Sequence, residues 1–449
     1  MRQTAPVKKL TAIISWIIAV ILLLVPFHAF ITVWLSSAVG HYTLLRLWKE
    51  FLLVVVLAGA VYILLHDKSL RQKLLSLRLT KLIIIYCALL IVCGFVALFR
   101  HTVTTKAMWY GLLVDLRFLV FFLAAAVIAA SSGWLSQKWL KLLFVPAVLV
   151  AAFAILQYSI LPYDFLKHFG YSSSTISPYE TINHNLAHIR VASTLRGANT
   201  LGAYLVVPIC ALAVSIFKQK RGWRDKAMLG IGLLLALAFS FSRSAWIGAT
   251  VGVLVVAWLS LKSERSRKIT AWVAAGFLII ASVAGLLLRN NLAFEDAFLH
   301  TDRSSSAKVS SNEGHVAAFK SASKDVLHQP LGDGVGTAGP QSVYNNHPRI
   351  AENYFLQIGQ EAGVIGMLLF IAICFSLGKA LFDQKSDPLS LALLAALIGL
   401  TFVNLLSHAW EDDTLTYVFW GLAGIALAPA IITDKHKRKN GQKIPKPAA

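Results

Sequence analysis

KQKRGWRDKAMLGIGLLLALAFSFSRSAWIGATVGVLVVAWLSLKSERSRK, residues 218–268, holds two apolar runs, 227–241 and 244–261, joined by a turn at Arg243 and bounded by basic loops at 218–226 and 262–268. An apolar run of roughly 20 residues crosses a bilayer core as a helix. Two such runs placed back to back return both basic loops to one side, and Lys and Arg collect on the cytoplasmic side of membrane proteins. Arg243 is therefore expected at the outer edge. Moving outward along the chain, ten further apolar blocks follow the same pattern, at 10–35, 51–65, 82–99, 109–130, 139–161, 198–217, 270–288, 354–382, 389–409 and 415–433. The expected fold is all-α: one integral membrane domain over residues 1–449 with about twelve transmembrane helices. A composition of 57% hydrophobic and 14% charged residues excludes an ordinary soluble protein, in which the charged fraction is about a quarter.

The formal charge of +21 does not mark a nucleic-acid surface, because the positive residues fall between alternate apolar blocks. About 26 Lys and Arg lie in the N-terminal tail, in 66–81, 131–141, 218–226, 262–269 and 383–388 and in the C-terminal tail, against about 14 in the other loops. Both termini are thus expected in the cytoplasm. The basic tail at 434–449, with KHKRKNGQKIPK, suits the anionic lipids of an inner leaflet. The first block has no small-residue cleavage pattern after it and reads as a retained helix. Cys87, Cys93, Cys210 and Cys374 lie inside apolar runs as small core residues.

Two outer loops exceed ordinary helix connections, 162–197 and, between the ninth and tenth helices, 289–353. In the second, GHVAAFKSASKDVLHQP (314–330) spaces Val316, Phe319, Ala322, Ser323 and Val326 for an amphipathic helix against the membrane face. Gly332, Gly334, Gly336 and Gly339 end it. His184 and His188, four apart, share a face if a helix forms there, but no carboxylate or cysteine completes a zinc set. No metal or cofactor is expected.

Arg243 is the most informative single residue. A guanidinium in a partly dry setting suits bidentate binding of a phosphate or diphosphate; the alternative is an arginine snorkelling to the headgroups. Arg190 and Arg196 bracket the small-residue stretch RVASTLRGANTLGAYL (190–205) and can approach the same face, or be two cations of a polar loop. In AENYFLQIGQEAGVIG (351–366), Asn353, Gln357, Gln360 and Glu361 form one polar stripe, with Glu352 at its mouth. Such a stripe faces a water-filled cavity or the bundle interior, while Glu352 can equally be a carboxylate favouring a helix N-terminus. A second stripe, Asn404, Ser407, His408 and Glu411, precedes Asp412 and Asp413. Asp115 and Arg117, two apart, do not face each other and are expected to pair with other helices.

These landmarks, in this order, resemble the O-antigen ligase and O-antigen polymerase superfamily of bacterial membrane glycosyltransferases. RVASTLRGANTLGAYL resembles its segment before a middle helix, and SFSRSAWIG (240–248) its arginine hairpin. HVAAFKSASKDVLHQPLGDGVGTAG (315–339), followed by ENYFLQIGQEAGVIG (352–366), resembles the end of its large loop and the next helix. WYGLLVDLRFLVFF (109–122) is also of a kind seen there. The resemblance covers roughly residues 190–370.

It implies transfer of a glycan from a polyprenyl-diphosphate carrier to a glycan, lipid or other surface acceptor outside the bacterial cytoplasmic membrane, without metal or nucleotide sugar. Arg243 takes the place of the hairpin arginine and Arg190 that of the earlier one; beside them, the loop and stripe readings give Arg196, His315, Asn353 and Gln357 as further expected substrate-binding positions. The pattern departs at His315, where the ligases carry arginine, and at Glu352, where they carry histidine before asparagine. Glu352 is the expected proton acceptor, although the unperturbed value of about 4.3 makes a glutamate a weak base unless burial raises it. The rival class is a polysaccharide or lipid-linked glycan transporter or flippase, which would carry interrupted helices near the midplane of related halves; no such pair is legible. A silent scaffold descended from the enzyme fold is the third reading.

Overall fold

The computed structural model describes residues 5–182, 185–218, 222–261, 263–269, 272, 287, 311–345 and 347–432. All but two residues of the apolar block at 270–288, together with residues 289–310, His184 and the basic tail, lie outside them.

Inside a bilayer the backbone has no water to bond to, so the apolar runs close their hydrogen bonds within helices. Near the N-terminus α1 (Ala5–Leu24) passes through a 3-10 turn containing Pro26 into α2 (His28–Val39). Short α3 (Tyr42–Arg46), α4 (Trp48–His66), α5 (Lys68–Ser76), α6 (Arg78–Phe99), α7 (Thr105–Ser131) and α8 (Trp134–Ser159) follow. A two-stranded antiparallel hairpin, β1 (Glu180–Ile182) and β2 (Asn185–Arg190), leads to α9 (Ala198–Lys218), α10 (Trp223–Phe239) and α11 (Arg243–Ser260). The remaining helices are α12 (Ser311–His328), α13 (Tyr354–Asp383), α14 (Pro388–Leu405) and α15 (Asp413–Ile432). Side-chain caps fix several starts: Thr104, Asn353 and Asp387 accept from backbone N–H groups at Ala107, Leu356 and Ser390.

Ten of these stretches, with α1 and α2 counted as one, are long and apolar enough to cross a membrane among the described residues. The run expected at 227–241 forms α10, which at 17 residues stands at the short limit of a crossing. The expected count of about twelve thus meets ten such stretches and this shorter helix, the block at 270–288 lying outside the described residues.

Lipid tails are as apolar as leucine, so helices associate through close packing of small residues rather than through hydrophobic burial alone. Gly248 of α11 meets Gly399 of α14 so closely that a Cβ at Gly248 would stand 2.8 Å from the Gly399 carbonyl oxygen. Gly252, one turn on, would press Cys210 of α9 at 2.5 Å. These contacts knit α9, α11 and α14 into one layer.

Charges inside the bundle pair across helices. Lys49 Nζ lies 3.0 Å from both Glu50 and Asp413, His28 Nε2 lies 3.2 Å from Asp413, and Arg117 reaches Glu50 at 3.2 Å. Arg117 also pairs with Asp413 and donates to the Glu411 carbonyl at 2.9 Å. The expectation for Arg117 is met: one knot ties α2, α4, α7 and α15 together. Asp115 is buried beside the carboxyl group of Glu361 on α13, so it too meets a group from another helix.

α13 is interrupted at a position that its apolar pattern does not mark. Gly363 leaves the helical region at φ +70°, and residues 330–334 dock beside it. Asp333 and Gly334 N–H donate to the Gln360 and Glu361 carbonyls at 2.8 and 2.9 Å, and Val364 N–H donates to the Pro330 carbonyl at 2.9 Å. The Glu361 carboxylate then accepts from Gly336 N–H at 2.8 Å and from the Gln341 amide at 3.0 Å. Gly336, at φ +95°, packs so tightly on α7 that a Cβ would come within 2.7 Å of the Ala107 backbone.

Removing one member of a buried ion network strands its partners, at a cost of about 3–5 kcal/mol. Arg117→Ala is expected to lower the unfolding temperature in detergent by several degrees, read by intrinsic fluorescence, and more than Lys379→Ala, whose pair with Asp383 is exposed.

Candidate functional site

Two cavities open at the end of the bundle where the connections 40–47, 190–200, 240–243, 340–352 and 406–412 meet. The first, about 630 Å³, is lined by Arg190, Arg243 and Lys320 beside an apolar wall of Phe241, Ile247, Val316, Phe319, Leu405 and Leu406. The second, about 540 Å³, is polar and aromatic, with Arg46, Tyr110, Arg196, Tyr344, His408 and Glu411 among its lining. Asn199, His315, Glu352 and Ser407 line both. Glu352 thus stands on the boundary.

Local structure places each group. Arg243 opens α11 directly after the three-residue turn at 240–242, so the hairpin reading of the sequence holds. Arg190 ends β2 and is pinned: its Nη2 donates to Asn199 at 2.6 Å, its Nε donates to the Ser240 carbonyl at 3.2 Å, and Glu180 lies 3.8 Å away. Val191 N–H donates to the Phe239 carbonyl at 3.0 Å, which holds this strand against the arginine hairpin. Burial lowers the Arg190 pKa from its ordinary value, the carboxylate of Glu180 opposing; its charge is only partly compensated, as suits an anion site.

Glu352 adopts the left-handed backbone region at φ +52°, which a side chain with Cβ rarely occupies. It is held there by its neighbours: the Asn353 amide donates to the Leu405 carbonyl at 2.9 Å and Tyr354 N–H to the Ser407 carbonyl at 3.1 Å. These bonds fasten the start of α13 to the end of α14. The Glu352 carboxylate meets His315 Nδ1 at 3.4 Å and His408 Nδ1 at 3.9 Å. His315 is carried by α12, the helix expected at 314–330. Its Ala322 and Val326 are buried, whereas Val316 and Phe319 face the first cavity.

Other expectations are placed differently. Asn353 and Gln357 line neither cavity: Asn353 caps α13, and the fully buried Gln357 donates to Glu411. Gln360 donates to Asp325 of α12 at 2.7 Å, so the polar stripe of α13 is taken up by α12, by the turn at Ala409–Glu411 and, through Glu361, by the returning loop. The second stripe is not one helix face, since α14 ends at Leu405 and a 3-10 turn spans Ala409–Glu411. Asn404 is fully buried and caps that turn through Trp410 N–H at 2.9 Å, while Ser407, His408 and Glu411 do line a cavity. His188 lies on β2, not on a helix. Arg46, Tyr110 and Tyr344 were not singled out by sequence, because they come from segments far apart in the chain; the alternation of outer loops is the signal that places them at one end.

Burial pushes the Glu411 carboxyl up to about 8 and the neighbouring Asp412 up to about 6. Burial lowers His408, with Glu352 opposing.

A multi-pass membrane protein with a cleft at one end, walled by cations and apolar side chains on one half and by polar and aromatic groups on the other, is the class these features define. Residues 227–371 match the family described as O-Antigen ligase, within the region whose motifs carried the resemblance. The chain is also similar, at 24% identity over 260 residues, to a Rickettsia felis protein described as "Putative polysaccharide ligase". That match covers 52% of this chain, and the chain spans 61% of the length of the relative.

A carboxyl whose pKa is raised by folding binds more protons in the folded state, so its support for the fold is complete at low pH and is lost as pH rises. For Glu411 the window runs from 4.5 to about 8. The unfolding temperature is expected to fall across that window, and Glu411→Gln to flatten the fall, as a pH series of thermal melts would record.

Proposed function

We propose that this protein joins glycans: it transfers a glycan from a polyprenyl-diphosphate carrier to a hydroxyl of a surface acceptor or growing polysaccharide, at the extracytoplasmic face of the bacterial cytoplasmic membrane. The observation that carries this reading is the pair of cavities meeting at Glu352. The first has the mixed character of a lipid diphosphate, with guanidinium groups of Arg190 and Arg243 for the phosphates and an apolar wall for the first isoprene units. The second offers the tyrosine faces and hydrogen-bonding groups that suit a sugar acceptor. The ligase names attached to the similar family and relative support the same reading.

The acceptor oxygen attacks the anomeric carbon from the second cavity and forms the new glycosidic bond. The bond from that carbon to the diphosphate oxygen breaks, and its electron pair leaves with the carrier diphosphate. Arg243 and Arg190 neutralise the charge that grows on this leaving group, a charge-assisted role stronger than a neutral hydrogen bond. A proton acceptor centred on Glu352 takes the hydroxyl proton. Attack and departure on opposite faces invert the anomeric centre. Arg196 and His315 help hold the two substrates.

The flippase reading would draw on the break in α13. Residues 330–334 occupy that break through three backbone hydrogen bonds, which leaves it to the protein rather than to a passing lipid, so joining is preferred.

Protein in liposomes with a labelled polyprenyl-diphosphate glycan and a glycan acceptor is expected to give joined product and free carrier diphosphate. Arg243→Ala should cost about 10²–10³ in rate, and Glu352→Gln should also slow joining. Lipid moved between leaflets with no joined product would overturn the proposal.

A further inference from the structure

His408 is an unassigned group with the geometry of a base. It follows the end of α14 and lines the second cavity but not the first, so it meets the acceptor and not the carrier. Its Nδ1 is buried without a hydrogen-bond partner among the described residues and lies 3.9 Å from Glu352 Oε2. That separation is longer than a hydrogen bond, as is common before substrate closes a site. The two residues cannot drift apart freely, because the Asn353 amide and Tyr354 N–H hold the start of α13 on the Leu405 and Ser407 carbonyls.

A carboxylate facing one ring nitrogen keeps the proton there and leaves the other nitrogen as the acceptor. We infer that His408 and Glu352 act as one unit, in which Glu352 orients the imidazole and His408 Nε2 receives the proton of the acceptor hydroxyl. The inference rests on the glycan-joining function proposed above and deepens it. As the acceptor oxygen bonds to the anomeric carbon, its proton passes to Nε2, and the carboxylate of Glu352 faces the resulting imidazolium. Burial keeps the free imidazole neutral and ready to accept. His315 also meets Glu352, but it lines both cavities and is the more exposed of the two, with 39% of its side chain accessible against 29% for His408. The charged and titratable groups around His408 are Glu352, Arg196 and His315, with Arg46, Glu411 and Asp412 across the same cavity.

Two measurements on the full chain separate this inference from the function it rests on. In detergent, ¹⁵N-histidine NMR of the protein without substrate reports the His408 tautomer and titration, the signal being assigned by its loss in His408→Gln. The proton is expected on Nδ1, and Glu352→Gln should move the titration to lower pH. A His408 titration indifferent to Glu352→Gln overturns the pairing, whether or not the protein joins glycans. In the liposome assay, kcat/KM should rise with pH along a limb that His408→Gln abolishes together with about 10²–10⁴ of the rate, and the double variant should be little slower than His408→Gln alone. If His408→Gln keeps the limb and most of the rate while Glu352→Gln loses both, Glu352 is itself the base and the inference fails.

Discussion

A peptide group left without a partner in the membrane costs several kcal/mol, and the break in α13 puts that constraint at the centre of the structure. Where the helix unwinds at Gly363, residues 330–334 replace the missing bonds, and Glu361 then binds the loop further on through Gly336 and Gln341. An arginine outside the helix completes the hold, since Arg349 lies 2.8 Å from Asp333. The loop between α12 and α13 is therefore folded back into the bundle, and its last residues arrive at the cavity boundary from a fixed direction.

From that anchoring the cleft follows. Asn353 caps α13 and also clamps the end of α14, so Glu352 is presented between His315 and His408 instead of pointing along the helix axis. On the other side the β-hairpin lays Arg190 against the turn that carries Arg243. The cation side of the cleft is thus carried by β2 and the turn from α10 into α11, the carboxylate side by the junction of α13 and α14, and the packing of α11 on α14 sets the two against each other. Further in, the knot of Arg117, Asp413, Lys49, Glu50 and His28 holds α15 and α7 beneath the second cavity.

Much of this was legible from local pattern. Hydropathy marked most of the crossings, and the alternation of basic loops put Arg190, Arg243, His315 and Glu352 at one end, where the structure brings them to shared cavities. What stayed hidden depended on long-range partners. A polar stripe on α13 carries the same periodicity whether it faces water or a docked loop, so Gln357 and Gln360 gave no sign of their bonds to Glu411 and Asp325. Gly363 reads as an ordinary small residue in an apolar run until a strand of loop is found beside it. His408 sits past the helix end, so the helical spacing that links it to Asn404 does not apply, and its partner is more than fifty residues away in sequence.

The left-handed backbone of Glu352 sets robustness against turnover at one codon. A residue with a Cβ in that region carries strain of about 1–3 kcal/mol, which glycine would relieve. Selection for a hardier protein would therefore be drawn to discard the carboxylate on which the proposed chemistry turns, so survivors of a heat screen need not be working catalysts.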